Sequence, residues 1–339
     1  MLAGILAVIA TACAPSPALD ESEATVDPAT GPGAPVRYAV IATVAAGSQP
    51  FGVTVDSTLR RVFVADDAVD SSRTIMTFDA DTGARISSSS ARIEGDTVLD
   101  ITVDPLTHTL YLPHYPEKTG GGITVINADK GAIAAEIPVG SAPYATDTDP
   151  GEHLLYVANH SDDTVSVIDE LSNTVSTVLP AGESPMDIAV DPATHTVYCV
   201  NQVGTVTVID GITHSVRKTI PVGHNASSIA VASDTRTIFV SNHDDNTVSV
   251  IDGAKNVVTA TFSTAGRPGR LAVDPGRHVL YMASSNTSVS VVDTATYAIL
   301  ATVPVGQYPS SIAVDPTKHH AYVTSNKTNT LSVIGPQSP

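Results

Sequence analysis

Residues 187–210 read DIAVDPATHTVYCVNQVGTVTVID, and the same order of residue types returns in SIAVASDTRTIFVSNHDDNTVSVID at 228–252 and SIAVDPTKHHAYVTSNKTNTLSVIG at 311–335. Each stretch contains three short runs rich in Val, Ile, Tyr or Phe, separated by turn residues, and a fourth run follows. Short alternating runs bounded by turn residues predict β-strands. In the stretch that begins at Asp187, we predict strands at 188–190, 197–200, 205–209 and 216–220.

The repeat occurs seven times along the chain. Successive copies lie 41 to 48 residues apart, as shown by the residue that ends the first run of each copy: Asp56, Asp104, Asp149, Asp191, Ala232, Asp274 and Asp315. Four strands repeated at this period are typical of β-propeller blades. The sequence therefore predicts an all-β fold, a seven-bladed β-propeller of four-stranded antiparallel blades.

The two ends of the repeat region complement each other. The seventh copy stops after its third strand, at residues 331–334, and residues 37–44 (RYAVIATV) have the pattern of a fourth strand without a blade of its own. Pairing these segments would cover two strand edges that otherwise invite aggregation. We predict that the N-terminal strand closes the ring and that residues 36–335 form one domain.

The second run of the repeat carries a short signature. It reads YVAN at residues 156–159, YCVN at 198–201, FVSN at 239–242 and YVTS at 322–325. These runs resemble the YVTN-type β-propeller repeat family, and the resemblance covers nearly all of residues 36–335. It implies an extracytoplasmic or surface-layer-like protein. The wider fold also hosts lactonases, lyases and electron-transfer subunits, so the fold does not select one activity.

Residues 1–35 lie outside the repeats. Residues 2–12 form one apolar run, too short to span a bilayer, and a Pro- and acid-rich stretch follows Cys13. The segment before Cys13 resembles a bacterial lipoprotein processing site, although Ala10 is smaller than the usual residue and no Lys or Arg precedes the run. We predict a signal or lipoprotein-like segment at 1–13 with Cys13 acylated, a disordered linker at 14–35, and an exported protein, either a cell-envelope lipoprotein or secreted. Cleavage after Ala12 or Ala14 is the alternative.

Composition excludes several partners. The chain has 17 Lys and Arg against 35 Asp and Glu, a formal charge of −18, whereas nucleic acids and anionic membranes bind basic surfaces. We expect no nucleic-acid partner, membrane contact only through the N-terminal anchor, and a monomer. The sequence lacks local motifs for haem attachment, a nucleophilic Ser, phosphate binding or a zinc helix, so we expect no cofactor. Cys199 occupies a column of Val, Leu and Met and is predicted to be a buried hydrophobic residue.

The turn after the first strand carries a basic or potentially basic residue in every copy: Arg60, His108, His153, His195, Arg236, His278 and His319. A shared metal ion is excluded by distance, because packed sheets lie about 10 Å apart. We interpret the column as turn residues that bond within their own loop. The Asp that precedes these turns is predicted to accept backbone N–H groups of the turn.

The opposite face, which we call the channel mouth, is where the copies disagree. Immediately before the first strand the copies carry what we call the mouth column: Gly52, Asp100, Ala145, Asp187, Ser228, Arg270 and Ser311. The loops between second and third strands (the b–c loops) add His114, His160 and His243 with acidic neighbours, and these loops are longest in the first two copies. A polar, irregular channel mouth predicts a ligand site. The candidate binding residues are Asp100, Asp187, Arg270, His114, His160 and His243.

Two functions remain open. The first is a non-enzymatic scaffold that binds a small ligand or an envelope protein. The second is a metal-assisted hydrolase or lyase of the lactonase or streptogramin-lyase type, in which a divalent cation at the channel mouth polarises a carbonyl and a His acts as base. Its candidate residues are Asp100, Asp187, His114 and His224. A docking platform for a redox partner is a third reading, for which the sequence offers no set of cofactor ligands.

Overall fold

The computed structural model describes residues 36–67, 74–88, 97–115 and 120–337. The predicted signal segment, Cys13 and the predicted linker lie outside these residues, and their assignment stays a prediction. Residues 68–73 and 116–119, which belong to the two longest b–c loops, also lie outside. Within the described ranges, no helix combines the length and apolar character that a membrane span requires.

The described residues form 29 strands in seven sheets, one sheet for each blade. The first strand, β1, is Arg37–Ala45. The strands of blades 1 to 3 are β2 (Pro50–Asp56), β3 (Arg61–Asp66), β4 (Thr74–Asp79), β5 (Arg85–Ser88); β6 (Thr97–Val98), β7 (Thr102–Asp104), β8 (Thr109–Tyr115), β9 (Gly121–Asn127), β10 (Ala132–Val139); β11 (Pro143–Asp149), β12 (Leu154–Asn159), β13 (Thr164–Asp169) and β14 (Thr174–Pro180).

The remaining blades repeat the same plan. Their strands are β15 (Pro185–Asp191), β16 (Thr196–Asn201), β17 (Thr205–Asp210), β18 (Ser215–Pro221); β19 (Ala226–Ala232), β20 (Thr237–Asn242), β21 (Thr247–Asp252), β22 (Val257–Ser263); β23 (Leu271–Asp274), β24 (Val279–Ser285), β25 (Ser288–Asp293), β26 (Ile299–Pro304); β27 (Pro309–Asp315), β28 (His320–Ser325) and β29 (Thr330–Gln337). A 3₁₀ turn at Pro275–Arg277 follows β23. The four strands predicted in the fourth copy are confirmed as β15 to β18.

The predicted ring closure is confirmed. The seventh sheet has the order β1-β29-β28-β27, and β1 runs antiparallel to β29, with Val44 opposite Leu331. The inner strand β2 packs against both β27 and β7, so the inner strands form a closed ring around a central channel. The fold is therefore the predicted all-β, seven-bladed propeller, with the N-terminal strand as the rim strand of blade 7.

Large aromatic side chains fill the spaces between blades. One position of the second strand is Tyr or Phe in every blade, and each copy is almost fully buried: Phe63, Tyr111, Tyr156, Tyr198, Phe239, Tyr281 and Tyr322. The Tyr322 hydroxyl donates to the backbone oxygen of Ala80 at 2.7 Å and so joins blade 7 to blade 1. Each ring supplies apolar burial, and in Tyr156 and Tyr322 the hydroxyl also donates to a backbone oxygen of the neighbouring blade.

The turns after the inner strands confirm one prediction and correct another. Asp56 Oδ1 accepts the N–H groups of Thr58 and Leu59, each at 2.9 Å, as predicted. The prediction that the His column bonds within its own loop is wrong for three copies, whose Nδ1 atoms lie 2.7, 2.8 and 3.0 Å from a carboxylate of the preceding blade: His108–Asp56, His195–Asp149 and His319–Asp274. We call these pairs the His–Asp latches.

Backbone conformation explains why this column can reach across. All seven residues have φ between 51° and 58°, the left-handed region, in which His is more frequent than most residues. The hydrogen bond that His195 donates to Asp149 raises the pKa of His195, as expected for an imidazole paired with a buried carboxylate. The three latches therefore join blade 1 to blade 2, blade 3 to blade 4, and blade 6 to blade 7.

The junction of blades 2 and 3 departs from this pattern. Here His153 Nδ1 has no hydrogen-bond partner among the described residues. Glu170 occupies a position that is Gly, Ala, Thr or Pro in the other copies, is only 8% exposed, and lies close to Tyr111 and Asp104. Burial, reinforced by Asp104, raises the pKa of Glu170 to about 8. Glu170 is therefore largely protonated in the folded protein at neutral pH.

We expect Glu170→Gln to change how stability depends on pH. The unfolded chain releases this proton near the ordinary pKa of 4.5, whereas the folded protein keeps it up to about pH 8. The folded state thus binds more protons between these values, and the wild type should lose stability relative to the variant as pH rises through that window, by up to about 1.4 kcal/mol per pH unit. Above about pH 8 the difference should level off.

Urea unfolding of both proteins from about pH 5 to about pH 9 measures this difference. Glu183→Gln, which removes one exposed carboxylate, controls for the change in net charge. A difference between the wild type and Glu170→Gln that does not vary with pH would contradict a protonated, buried Glu170.

Candidate functional site

The mouth column lies at the channel, where the inner strands have unpaired edges. Two of its carboxylates accept backbone N–H groups of the next blade. Asp100 Oδ2 accepts from Thr146 at 2.9 Å, and Asp187 Oδ2 accepts from Ile229 at 3.1 Å. Because buried backbone N–H groups need partners, these bonds stabilise the free edges of the inner strands.

This structural task does not require a charge. Ser228 occupies the same column, and its hydroxyl oxygen accepts the N–H of Leu271 at 3.1 Å. A neutral side chain therefore satisfies the same edge at lower desolvation cost than Asp100 or Asp187. The negative charges of Asp100 and Asp187 are therefore not needed to pair the strand edges, and this supports a ligand site at the mouth.

Asp147 is a channel residue that the sequence reasoning missed. It lies two residues beyond Ala145 on β11, and its carboxylate accepts the N–H groups of Val190 at 2.8 Å and of Thr148 at 2.9 Å. Burial raises the pKa of Asp147 to about 7, against the opposing effect of these hydrogen bonds. The available signal was an Asp inside a strand, at a position that is Thr or Ala in the other six copies.

Arg270 is the cation of the mouth column. Its Nη1 lies 3.2 Å from Asp187 Oδ2, and its side chain is 26% exposed. Although burial opposes the charge, Asp187 and Asp100 raise the pKa of Arg270 above its usual value. A guanidinium has five N–H donors, so most of them stay available to a ligand.

Three rings stack on the same face at the junction of blades 2 and 3. Tyr144 stacks on His160 with ring centroids 4.5 Å apart, and Tyr115 is nearly parallel to Tyr144 at 6.4 Å. Burial and the Tyr115 neighbour raise the pKa of Tyr144, and the positive charge of Arg270 opposes this rise. Burial lowers the pKa of His160, so its imidazole is neutral at pH 7.

The acidic b–c loops have a role that the sequence did not indicate. Asp162 Oδ2 accepts the N–H of Ser141 at 2.7 Å, and Asp245 Oδ2 accepts the N–H of His224 at 2.8 Å. Each carboxylate thus fixes the loop that enters its own blade. These side chains are neither free for a ligand nor simply solvated.

The structure groups only part of the predicted site. It brings Asp187 and Arg270 into contact, with Asp100 in electrostatic range, and places His160 in the ring stack. Three other predicted histidines pair elsewhere, at 3.1, 2.9 and 3.2 Å: His114 with Glu136, His224 with Asp245, and His243 with Asp244. In the described ranges no three His, Cys, Asp or Glu side chains lie close enough together to hold a metal ion.

Comparison with known proteins agrees with this architecture. A family model described as lactonase, seven-bladed β-propeller, matches residues 37–296. No curated protein matches the chain. Among solved structures, hydrazine synthase of Kuenenia stuttgartiensis matches with a TM-score of 0.73 and 18% sequence identity, covering 84% of this chain and 95% of that chain. At this identity the likeness shows the fold alone.

The narrower likeness to YVTN-type repeats stays a prediction from the sequence. The lactonase model, in contrast, spans well over half of the chain, from the closing strand β1 into blade 6. The chain therefore belongs to the lactonase family of seven-bladed β-propellers.

Proposed function

We propose that this propeller binds a small ligand at the channel mouth, and that Arg270 receives a carboxylate or a polarised carbonyl oxygen of that ligand. The observation that carries the proposal is a charged guanidinium held by one carboxylate oxygen of Asp187. Arginine binds carboxylates through two parallel hydrogen bonds. Because Asp187 already restrains the side chain, less conformational entropy is lost when a ligand binds.

The contacts of the acidic residues favour binding over catalysis. The carboxylates of Asp100, Asp147 and Asp187 each already accept backbone N–H bonds within the ring. They are held as acceptors for the fold, and Asp187 in addition positions Arg270. We therefore propose a non-enzymatic binding protein, exported and tethered through Cys13 as the sequence predicts.

Lactone hydrolysis is a second candidate, supported by the pKa of Asp147 near 7 and by the family match. In this reaction the oxygen of a water molecule would attack the lactone carbonyl carbon, while the Asp147 carboxylate accepts a proton from that water molecule. Arg270 would donate hydrogen bonds to the carbonyl oxygen as negative charge develops. The ring C–O bond then breaks, and Asp147 returns the proton to the leaving oxygen.

Titration of the purified protein with benzoate, phenylacetate and acetate, followed by NMR, tests the proposed binding. We expect Arg270→Ala to weaken carboxylate binding at least tenfold, because the ion pair is lost. Arg270→Lys should give an intermediate loss, because the positive charge stays but the two parallel N–H donors of the guanidinium are lost. His278→Ala, an exposed residue on the opposite face, should bind as the wild type does. Melting temperatures of all variants show that they are folded.

The proposal is wrong if the wild type binds none of these carboxylates, or if Arg270→Ala binds them unchanged. The second candidate is tested with the same samples by following acid release from δ-valerolactone and glucono-δ-lactone at constant pH. Turnover that Asp147→Asn abolishes, with carboxylate binding retained, would favour hydrolysis. A wild type that leaves both lactones intact rejects it for these substrates.

A further inference from the structure

A set of β-bulges surrounds the channel mouth. In five blades the pairing of the inner strand slips by one residue at its mouth end. The residues at the slip are Phe51, Tyr144, Met186, Ser227 and Ser310, and the equivalent positions of blades 2 and 6 are Leu99 and Gly269. We call these seven residues the bulge ring. A bulge redirects its side chain out of the regular pleat, and bulges are frequent beside binding sites.

The bulge ring has two unlike halves. Blades 1 to 4 supply large apolar side chains, whereas blades 5 to 7 supply Ser, Gly and Ser. All seven residues are half-buried, so each keeps part of its surface accessible. The bulge itself recurs as part of the blade geometry, but the geometry does not dictate the side chain. A run of four large apolar residues on one side is therefore a departure from the repeat, although Met186 also packs against the core that blades 4 and 5 share.

Arg270 faces the apolar half across the channel. It belongs to blade 6, which in a closed ring of seven stands opposite the junction of blades 2 and 3. That junction carries the stack of Tyr115, Tyr144 and His160, and the positive charge of Arg270 opposes the rise in the pKa of Tyr144. A cation and a flat apolar surface thus confront each other.

We propose, building on the proposed binding function, that the ligand is a ring-bearing carboxylate. Its carboxylate pairs with Arg270, and its flat ring lies against the apolar half of the bulge ring, formed by Phe51, Leu99, Tyr144 and Met186. Aromatic and aliphatic side chains of this kind bury a flat ring, and Tyr adds offset stacking. A carboxylate without a ring gains only the ion pair, and a neutral ring gains only the apolar contact.

NMR titrations with benzoate, acetate and benzyl alcohol separate the two contacts. We expect the wild type to bind benzoate at least tenfold more tightly than either acetate or benzyl alcohol. Tyr144→Ala should weaken benzoate binding at least tenfold and leave acetate binding unchanged. Ser227→Ala, a bulge-ring residue of the small half, is the matched control and should leave both unchanged. Met186→Ala, expected to weaken benzoate selectively, serves if Tyr144→Ala does not fold.

The possible outcomes distinguish a failure of the ring-bearing ligand from a failure of the proposed carboxylate binding. Equal binding of acetate and benzoate by the wild type, or an unchanged benzoate affinity in both Tyr144→Ala and Met186→Ala, overturns the ring-bearing ligand and leaves carboxylate binding intact. If benzyl alcohol binds as tightly as benzoate, the carboxylate adds nothing to the affinity and the proposed role of Arg270 is wrong. Failure of all carboxylates to bind, while the folded wild type is confirmed by its melting transition, overturns the proposed function itself.

Discussion

Removal of residues 36–46 should lower the free energy of unfolding by several kcal/mol, the scale of losing one strand's apolar burial from a domain whose whole stability is about 5–15 kcal/mol. Strand β1 pairs along its length with β29, and its Tyr38 and Val40 join the core between blades 6 and 7. The Tyr38 ring meets Tyr281 edge to face at 6.2 Å. Without β1, the edge of β29 is exposed to water and to other chains.

Thermal and urea unfolding of chains that begin at Val36 and at Gly47 measures this effect. The chain that begins at Val36 keeps β1 and is the control for the loss of the preceding residues. If the shorter chain fails to fold, Tyr38→Ala gives a milder test, with an expected loss of about 3 kcal/mol for a large buried ring. Wild-type unfolding of the chain that begins at Gly47 would show that β1 does not hold the ring closed.

Cys199→Asp should be the most damaging single substitution among those proposed, with a loss of several kcal/mol or no folded protein. Cys199 is fully buried on β16, in the core that blades 3 and 4 share, and burial raises the pKa of its thiol. The same environment would hold an Asp without a charged partner, and an unpaired buried charge is among the costliest changes a core can receive.

Cys199→Val is the matched control, because Val has a similar size and occupies the equivalent position in several other blades. Its melting temperature should stay close to that of the wild type. Labelling of native Cys199 by a thiol reagent should be slow and limited by unfolding. Rapid labelling of the native protein, or a folded and equally stable Cys199→Asp, would contradict the buried position.

Much of the site could be recognised from repeat positions at which one copy carries a different residue type from the others. Asp100, Asp187 and Arg270 stood out because the same position in other copies is Gly, Ala or Ser, and the structure places Arg270 against Asp187. Asp147 carried the same kind of signal and was overlooked. Tyr144 gave no signal of this kind, because an apolar residue at a strand end is unremarkable until the structure shows its ring stacked on His160.

Other assignments failed because several contacts can satisfy the same residue type. A His in a turn can bond its own loop or a neighbouring sheet, and three copies bond the Asp of the preceding blade. His114 was placed at the mouth by its loop, but its ring contacts Glu136 on the rim strand of its own blade. His114 in fact lies in strand β8, opposite Gly122, so the predicted loop position was wrong and the direction of its side chain follows from the strand pairing.

The sequence by itself determined the strands, the seven blades and the closing role of residues 37–44. These depend on alternation and turn residues that act over a few positions and repeat in register, so each copy supports the assignment of the others. Only the tertiary structure decided the His–Asp latches, the Arg270–Asp187 pair and the stack of Tyr144 on His160. Those contacts join residues on different strands or different blades, and they depend on how the ring closes and on which way a bulge or a left-handed turn directs each side chain.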